Sequence, residues 1–226
     1  MIELRNVCKS YCADQKTTII ANNLSHVFPG NRSIGLLGRN GAGKSTLLKM
    51  FAGLMNPDQG EIIKAGSISY PVGFAGSFHP ELTGAQNARF VARIYSVDTD
   101  ELVAFARDFS ELGHHFDQPF RTYSSGMRSR LAFGVSMGIP FDTYLVDEVA
   151  SVGDGAFRKK SQTVFKSRME NAGAVVVSHS MEMLRAICDS GAVLENGRLA
   201  YYERIEKAIE HYQYIMKGQR PPWIQR

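Results

Sequence analysis

The chain is poor in cysteine: Cys8, Cys12 and Cys188 are the three in 226 residues. That is too few for a disulfide framework, and no Cys/His cluster has zinc spacing, so reduced cytosolic thiols are the expectation. No run reaches the roughly 18 apolar residues of a membrane span. The opening MIELRNVCKSY alternates apolar and polar residues and lacks the apolar stretch of a secretory signal. Any service to a membrane is therefore expected through a partner. There is no internal repeat and no low-complexity segment. Charge of one sign is also scarce: the net charge is +4. The basic runs at Arg158–Lys160 and Lys217–Arg226 are short, so a solvated face or a membrane-proximal location explains them, and no nucleic-acid partner is expected.

Hydrophobic residues make up 44% of the chain, enough for a buried core. Residues 1–20 read as strand, turn, strand. Ser33–Leu37 is a short apolar run, and Leu47, Leu48, Phe51 and Leu54 then recur on one helical face until Asn56, Pro57 and Gly60 punctuate it. Ile62–Ile63 and Ser67–Tyr70 read as strands. From about Pro80 to Ile139 the pattern is helical. Asp98 followed by Glu101 resembles a capping box, Leu102 to Leu112 carry a helical face, and Gly113 is the expected stop. Tyr144–Val146 and Val175–Val177 are compact apolar runs, as buried parallel strands require. Asn196-Gly197 between Val193–Leu194 and Leu199–Tyr202 predicts a tight hairpin, and Glu203–Met216 one more helix. The expectation is an α/β fold: a core of residues 1–74 and 141–226, with a helical subdomain at 75–140.

Gly38-Arg39-Asn40-Gly41-Ala42-Gly43-Lys44-Ser45, followed by Thr46, fits the phosphate-loop pattern and stands between a predicted strand and a predicted helix. Glycines let consecutive N–H groups converge on one concavity, and a helix N-terminus adds favourable partial charge. Lys44 is expected to reach the β- and γ-phosphates of ATP, and Ser45 to ligate Mg2+. Thr143–Val146 runs into Asp147-Glu148. A carboxylate ending a buried strand sits at the exposed edge of a parallel sheet, so Asp147 is a candidate magnesium residue and Glu148 a candidate proton acceptor from attacking water. Val175–Val177 likewise runs into Ser178-His179, making His179 a candidate γ-phosphate contact. A histidine that only satisfies local hydrogen bonds is the alternative.

Tyr123-Ser124-Ser125-Gly126-Met127-Arg128, which precedes the Asp-Glu strand and opens a helix, resembles the signature motif of ABC ATPases. The alternative for Ser124 alone is an ordinary helix cap. The resemblance covers about residues 1–205 and implies an α/β P-loop ATPase core of ABC type with a helical subdomain. It implies that Ser124 and the Gly126 amide of one subunit close over phosphate bound to the other, that Tyr11 stacks on adenine, and that Asp154 is the dimer-loop aspartate. The sequence departs from the family at three places: Ser125 replaces a glycine, Met127 a glutamine, and no glutamine stands near Phe74.

The stretches Ser69–Phe74, Gly76–Gly84, Thr122–Met127 and Asp147–Asp154 are similar to ATPases that export capsular polysaccharide in Gram-negative bacteria. O-antigen and teichoic-acid exporters share parts of the pattern. The O-antigen type often carries an added sugar-binding domain, and this chain stops soon after its last helix, so the capsule type is expected. That resemblance implies a homodimer on the cytoplasmic face of the inner membrane, working with integral-membrane permease subunits and periplasmic polysaccharide-export components. Soluble ABC proteins of DNA repair carry a long coiled coil before the signature, and those of translation usually join two ATPase units. Neither feature is present here. A P-loop kinase would have no use for Ser124-Ser125-Gly126. Trp223 is the sole tryptophan, in a short basic tail, so no aromatic platform for reading sugars is expected.

Overall fold

The computed structural model describes residues 1–13, 16–73, 76, 78–147 and 155–223. The chain divides into two compact units: Met1–Ser69, Asp142–Glu148 and Asn171–Arg226 form one, Tyr70–Phe141 and Val149–Glu170 the other.

The first unit holds a three-stranded antiparallel sheet in which β1 (Ile2–Ala13) lies between β2 (Lys16–Phe28) and β4 (Gln59–Lys64). A six-stranded sheet runs in the order β5 (Ile68–Pro71), β6 (Thr143–Asp147), β7 (Gly173–Val177), β3 (Ser33–Leu37), β8 (Ser190–Glu195), β9 (Arg198–Tyr202). The ladders joining β6, β7, β3 and β8 are parallel, and β9 returns antiparallel through Asn196 and Gly197, both at positive φ as a two-residue hairpin turn requires. Every residue of β3 and β7 is buried, which is why these strands read as unbroken apolar runs. Helix α1 (Lys44–Ala52) buries Leu47, Leu48, Met50 and Phe51 in a core shared with Phe28, Leu36, Leu145 and Val175. Helices α6 (Met181–Ile187) and α7 (Ile205–Met216) complete the described part of this unit. Leu54, expected on the α1 face, is exposed instead: Gly53 adopts a left-handed conformation and ends the helix one residue earlier.

The second unit is built from α2 (Gly84–Ile94), α3 (Thr99–Ser110), α4 (Ser125–Gly138) and α5 (Gly155–Met169). Leu102, Ala106, Phe109, Leu131, Phe133 and Phe157 are buried in it. The complete reciprocal capping box lies at Thr83 and Gln86, whereas Asp98 caps α3 by accepting from the Glu101 N–H. Gly113 does not stop α3. Glu111 does, in a left-handed conformation with φ 53°, and Gly113 opens a short 3-10 turn. The sequence reading keeps the region around α5 with the core, while here α5 groups with the helices. Among the described residues no helix is long and apolar enough to cross a membrane.

Candidate nucleotide site

Three parallel strands end along one edge of the six-stranded sheet. β3 runs out at Leu37 into the glycine loop, β6 ends at Asp147, and Asp147 is in register with Val177 at the end of β7. The loop 38–43 then delivers the chain to α1. Gly43 occupies the helix N-cap with φ 102° and no side-chain hydrogen bond, so the first amides of α1 have no side-chain cap there. A Cβ on Gly43 would stand 2.4 Å from Ile20 Cγ2, and one on Gly38 would stand 2.5 Å from the Leu194 carbonyl oxygen. Packing from below therefore forces these two glycines, independently of any ligand. Gly41 has φ 80° and open space where a side chain would be.

Above the loop is an open pocket of about 430 Å³ lined by Tyr11, Ile20, Asn40, Gly41, Gly43, Lys44, Ser45, Thr46 and Val177. That volume is of the order of small-ligand sites, roughly 300–1,000 Å³. The Lys44 ammonium donates to the carbonyls of Gly38 at 2.7 Å and Arg39 at 3.1 Å, and the Ala42 N–H closes a turn onto Arg39 O at 3.0 Å. Tyr11 is exposed, and its hydroxyl meets Met55 Sδ at 3.0 Å, which leaves the ring to form one wall. The backbone before it is pinned by Asp58, which accepts from Lys9 Nζ at 2.6 Å and from the Ser10 N–H at 2.8 Å. Those contacts, the Lys9 hydrogen bond first, hold the Asp58 carboxyl below the usual carboxylate range.

Of the expected site residues, the structure thus brings Tyr11, Asn40, Gly41, Gly43, Lys44, Ser45 and Thr46 to one pocket, with Gly38, Arg39 and Ala42 in the same loop. Asp147 lies at the sheet edge beside the pocket-lining Val177, partly exposed. His179 is exposed, two residues past Val177 and just before Ser180, the N-cap of α6. Glu148, Asp154 and the Phe74 position lie outside the described residues.

Ser124 and Gly126 belong to the helical unit. Ser124 is the N-cap of α4, its hydroxyl accepting from the Met127 N–H at 3.3 Å. A Cβ on Gly126 would meet nothing within 4 Å, so its backbone faces open space. The loop before it is held by buried Tyr123, whose hydroxyl donates to His115 O at 2.7 Å, and by Arg128, which donates to the Tyr123 and Arg121 carbonyls, each at 3.1 Å.

Sequence reasoning missed Ile20, Val177 and Met55. The strand register signals Val177, since it pairs with Asp147. Ile20 and Met55 act through contacts that no local pattern encodes.

A parallel sheet whose strand ends meet a glycine loop and an uncapped helix N-terminus defines a P-loop nucleotide-binding core. The family model described as ABC transporter matches residues 21–151. The polysialic acid transport ATP-binding protein KpsT of Escherichia coli is 45% identical over 215 residues, covering 94% of this chain and 96% of that protein. The capsule polysaccharide export ATP-binding protein CtrD of Neisseria meningitidis serogroup B is 42% identical over 212 residues, covering 94% and 98%. In fold, the chain resembles the dimeric ATP-binding cassette MJ0796 bound to ADP and phosphate, with TM-score 0.74 at 19% identity over 89% of this chain and 98% of that one. The chain belongs to the ABC transporter family, as an ATPase of that family.

Proposed function

We propose that this ATPase drives export of lipid-linked capsular polysaccharide. It would work as a homodimer on the cytoplasmic face of the inner membrane, coupled to integral-membrane permease subunits and to periplasmic export components. The observation that carries this reading is the near end-to-end similarity to ATP-binding proteins of capsule and polysialic acid transport.

In each site the adenine ring of ATP would stack on Tyr11 and the phosphates would lie over the 38–46 loop, whose amides would converge on them. Lys44 would exchange its loop carbonyls for the β- and γ-phosphate oxygens. The donor set suits Mg2+: the Ser45 hydroxyl lines the pocket, and the Asp147 carboxylate ends the strand that is in register with Val177. These two residues would hold the ion, which when bound neutralises charge on the phosphates. Glu148, next after Asp147, would take the proton of the attacking water, with His179 contacting the γ-phosphate. Ser124 and the Gly126 amide of one subunit would close over the phosphates bound by the other. Asp154 would lie at that junction between subunits.

The test uses the ATPase purified with its permease in vesicles loaded with lipid-linked polysaccharide. ATP-dependent movement of the glycan is expected. Glu148→Gln should keep ATP binding, trap an ATP-bound dimer and stop transport. Single-turnover hydrolysis by Glu148→Gln at the wild-type rate would exclude Glu148 as the base. ATP hydrolysis by the wild-type complex without glycan movement would exclude the cargo.

A further inference from the structure

Three helices of the second unit meet at one carboxylate. Glu111 caps the C-terminus of α3 with φ 53° and ψ 37°, a left-handed conformation usually given to glycine or asparagine. Its carboxylate accepts from Lys160 Nζ of α5 at 2.7 Å and lies 3.8 Å from Arg130 Nη1 of α4. Lys160 also donates to Asp108 O at 3.2 Å and stands 5.1 Å from the Phe109 ring centroid. Arg130 stands 4.5 Å from the ring centroid of Phe157, which is on α5. Phe109 and Phe157 are in edge contact at 5.2 Å, and Phe109 stacks on Phe133 of α4 at 5.5 Å. The contacts close a ring that passes through α3, α5, α4 and back to α3.

The Glu111 and Lys160 side chains are 52% and 33% exposed, and ion pairs that wet add little to stability. A glycine at 111 would hold the same cap without strain. The position instead carries the side chain that reaches the two other helices. α4 begins directly after Ser124.

The geometry points to Glu111 as a positioning residue for ATP hydrolysis. By gripping Lys160 and Arg130 it fixes α5 against α4, the helix that follows Ser124, so that the Ser124 loop reaches the partner's nucleotide in one register. This rests on the shared-site reading above. Glu111 is not among the residues that line the nucleotide pocket, all of which belong to the first unit. Its loss should therefore act on turnover and leave nucleotide affinity alone.

Glu111→Gly separates positioning from folding, because it relieves the left-handed strain while deleting the grip. The permease complex carrying Glu111→Gly, Glu111→Gln or wild-type ATPase is assayed for kcat, KM for ATP and melting temperature. The expected result is a fall in kcat of about tenfold for both variants, with KM unchanged, and a Glu111→Gly melting temperature equal to or above wild type. The double variant Glu111→Lys with Lys160→Glu, which reverses the Glu111–Lys160 pair, should recover part of kcat. Wild-type kcat in Glu111→Gly overturns the proposal, as does a fall in kcat that tracks a fall in melting temperature. Failure of the shared-site reading registers separately: Ser124→Arg would then leave hydrolysis intact.

Discussion

Adding one methyl group at position 43 tests whether the phosphate loop is shaped by packing beneath it. Gly43 sits at φ 102°, where an L-residue pays about 1–2 kcal/mol. The new Cβ would lie 2.4, 3.1 and 3.2 Å from Ile20 Cγ2, Cδ1 and Cβ. Ile20 is 5% exposed on β2, and overpacking of this kind costs about 1–3 kcal/mol. Gly43→Ala should therefore destabilise the protein by about 2–5 kcal/mol, a large part of the roughly 5–15 kcal/mol typical of a folded domain. The two components separate in a cycle with Ile20→Ala, which removes Cγ1, Cγ2 and Cδ1 and itself costs about 2–5 kcal/mol through the cavity it leaves. In the double variant the new methyl occupies part of that cavity, so the steric cost should disappear and the backbone cost remain. A favourable coupling of about 1–3 kcal/mol is expected, read from urea midpoints of the four proteins. Costs that add to within about 0.5 kcal/mol would refute a packing origin for the glycine. So would a Gly43→Ala protein as stable as wild type.

Two further predictions concern the adenine wall and pH. Tyr11→Ala should weaken ATP binding by about 1–3 kcal/mol, the usual worth of base stacking on an aromatic ring. Tyr11→Phe should bind nearly as wild type, because the hydroxyl is directed to Met55, and equal affinity in all three proteins by calorimetric titration would remove Tyr11 from the site. His211 is buried with Nδ1 2.9 Å from the Tyr202 hydroxyl, and burial, opposed in part by the Glu195 charge, pushes its pKa below the ordinary 6.5. The neutral form is favoured in the fold, so its contribution is complete above about pH 6.5 and is lost as pH falls from there through the lowered folded value. His26 is lowered by burial in the same way, so His211→Gln should reduce but not abolish the loss of urea stability between pH 7.5 and 5. An unchanged slope would clear His211.

The nucleotide loop was legible because its motif is itself a statement of backbone geometry: glycines where φ is positive and a lysine opening the helix. The strand ends at Asp147 and Val177 were legible from apolar runs that only a doubly covered parallel sheet allows. Helix ends were less so. Periodicity places Leu54 on the α1 face, but a left-handed Gly53 stops the helix first, and no periodic signal contains that event. The end of α3 misled in the opposite sense. Gly113 has the composition of a stop, yet Glu111 adopts the left-handed cap, with its carboxylate against Lys160 and Arg130 of two other helices. The roles of Ile20 and Met55 were invisible for the same reason: each acts on a residue far away in sequence, Gly43 and Tyr11. Trp223 packs within the first unit. Its ring meets Tyr214 edge-on at 5.6 Å, and Lys207 Nζ stands 4.9 Å from its centroid.

Ser124 has two readings that sequence leaves as rivals, a helix cap and a phosphate contact, and hydroxyl chemistry removes the rivalry. A serine hydroxyl carries one donor hydrogen and two acceptor lone pairs. Capping consumes one lone pair, which accepts from the Met127 N–H. The hydrogen is left to donate, and a phosphate oxygen is an acceptor only. The cap therefore fixes the oxygen at the mouth of α4 and leaves the donor for an anion placed there, beside a helix terminus whose partial charge favours it. Gly126 fits the same use, since the space where a side chain would stand is open. Tyr123 and Arg128 hold the loop by donating to backbone carbonyls and by packing on the Phe120 ring, so they fix its shape without occupying the Ser124 hydroxyl hydrogen. The departures from the family's usual signature are compatible with this chemistry. Met127 contributes its backbone N–H to the cap, which a glutamine would supply equally, and Ser125 lies within α4, where a helical φ asks for no glycine.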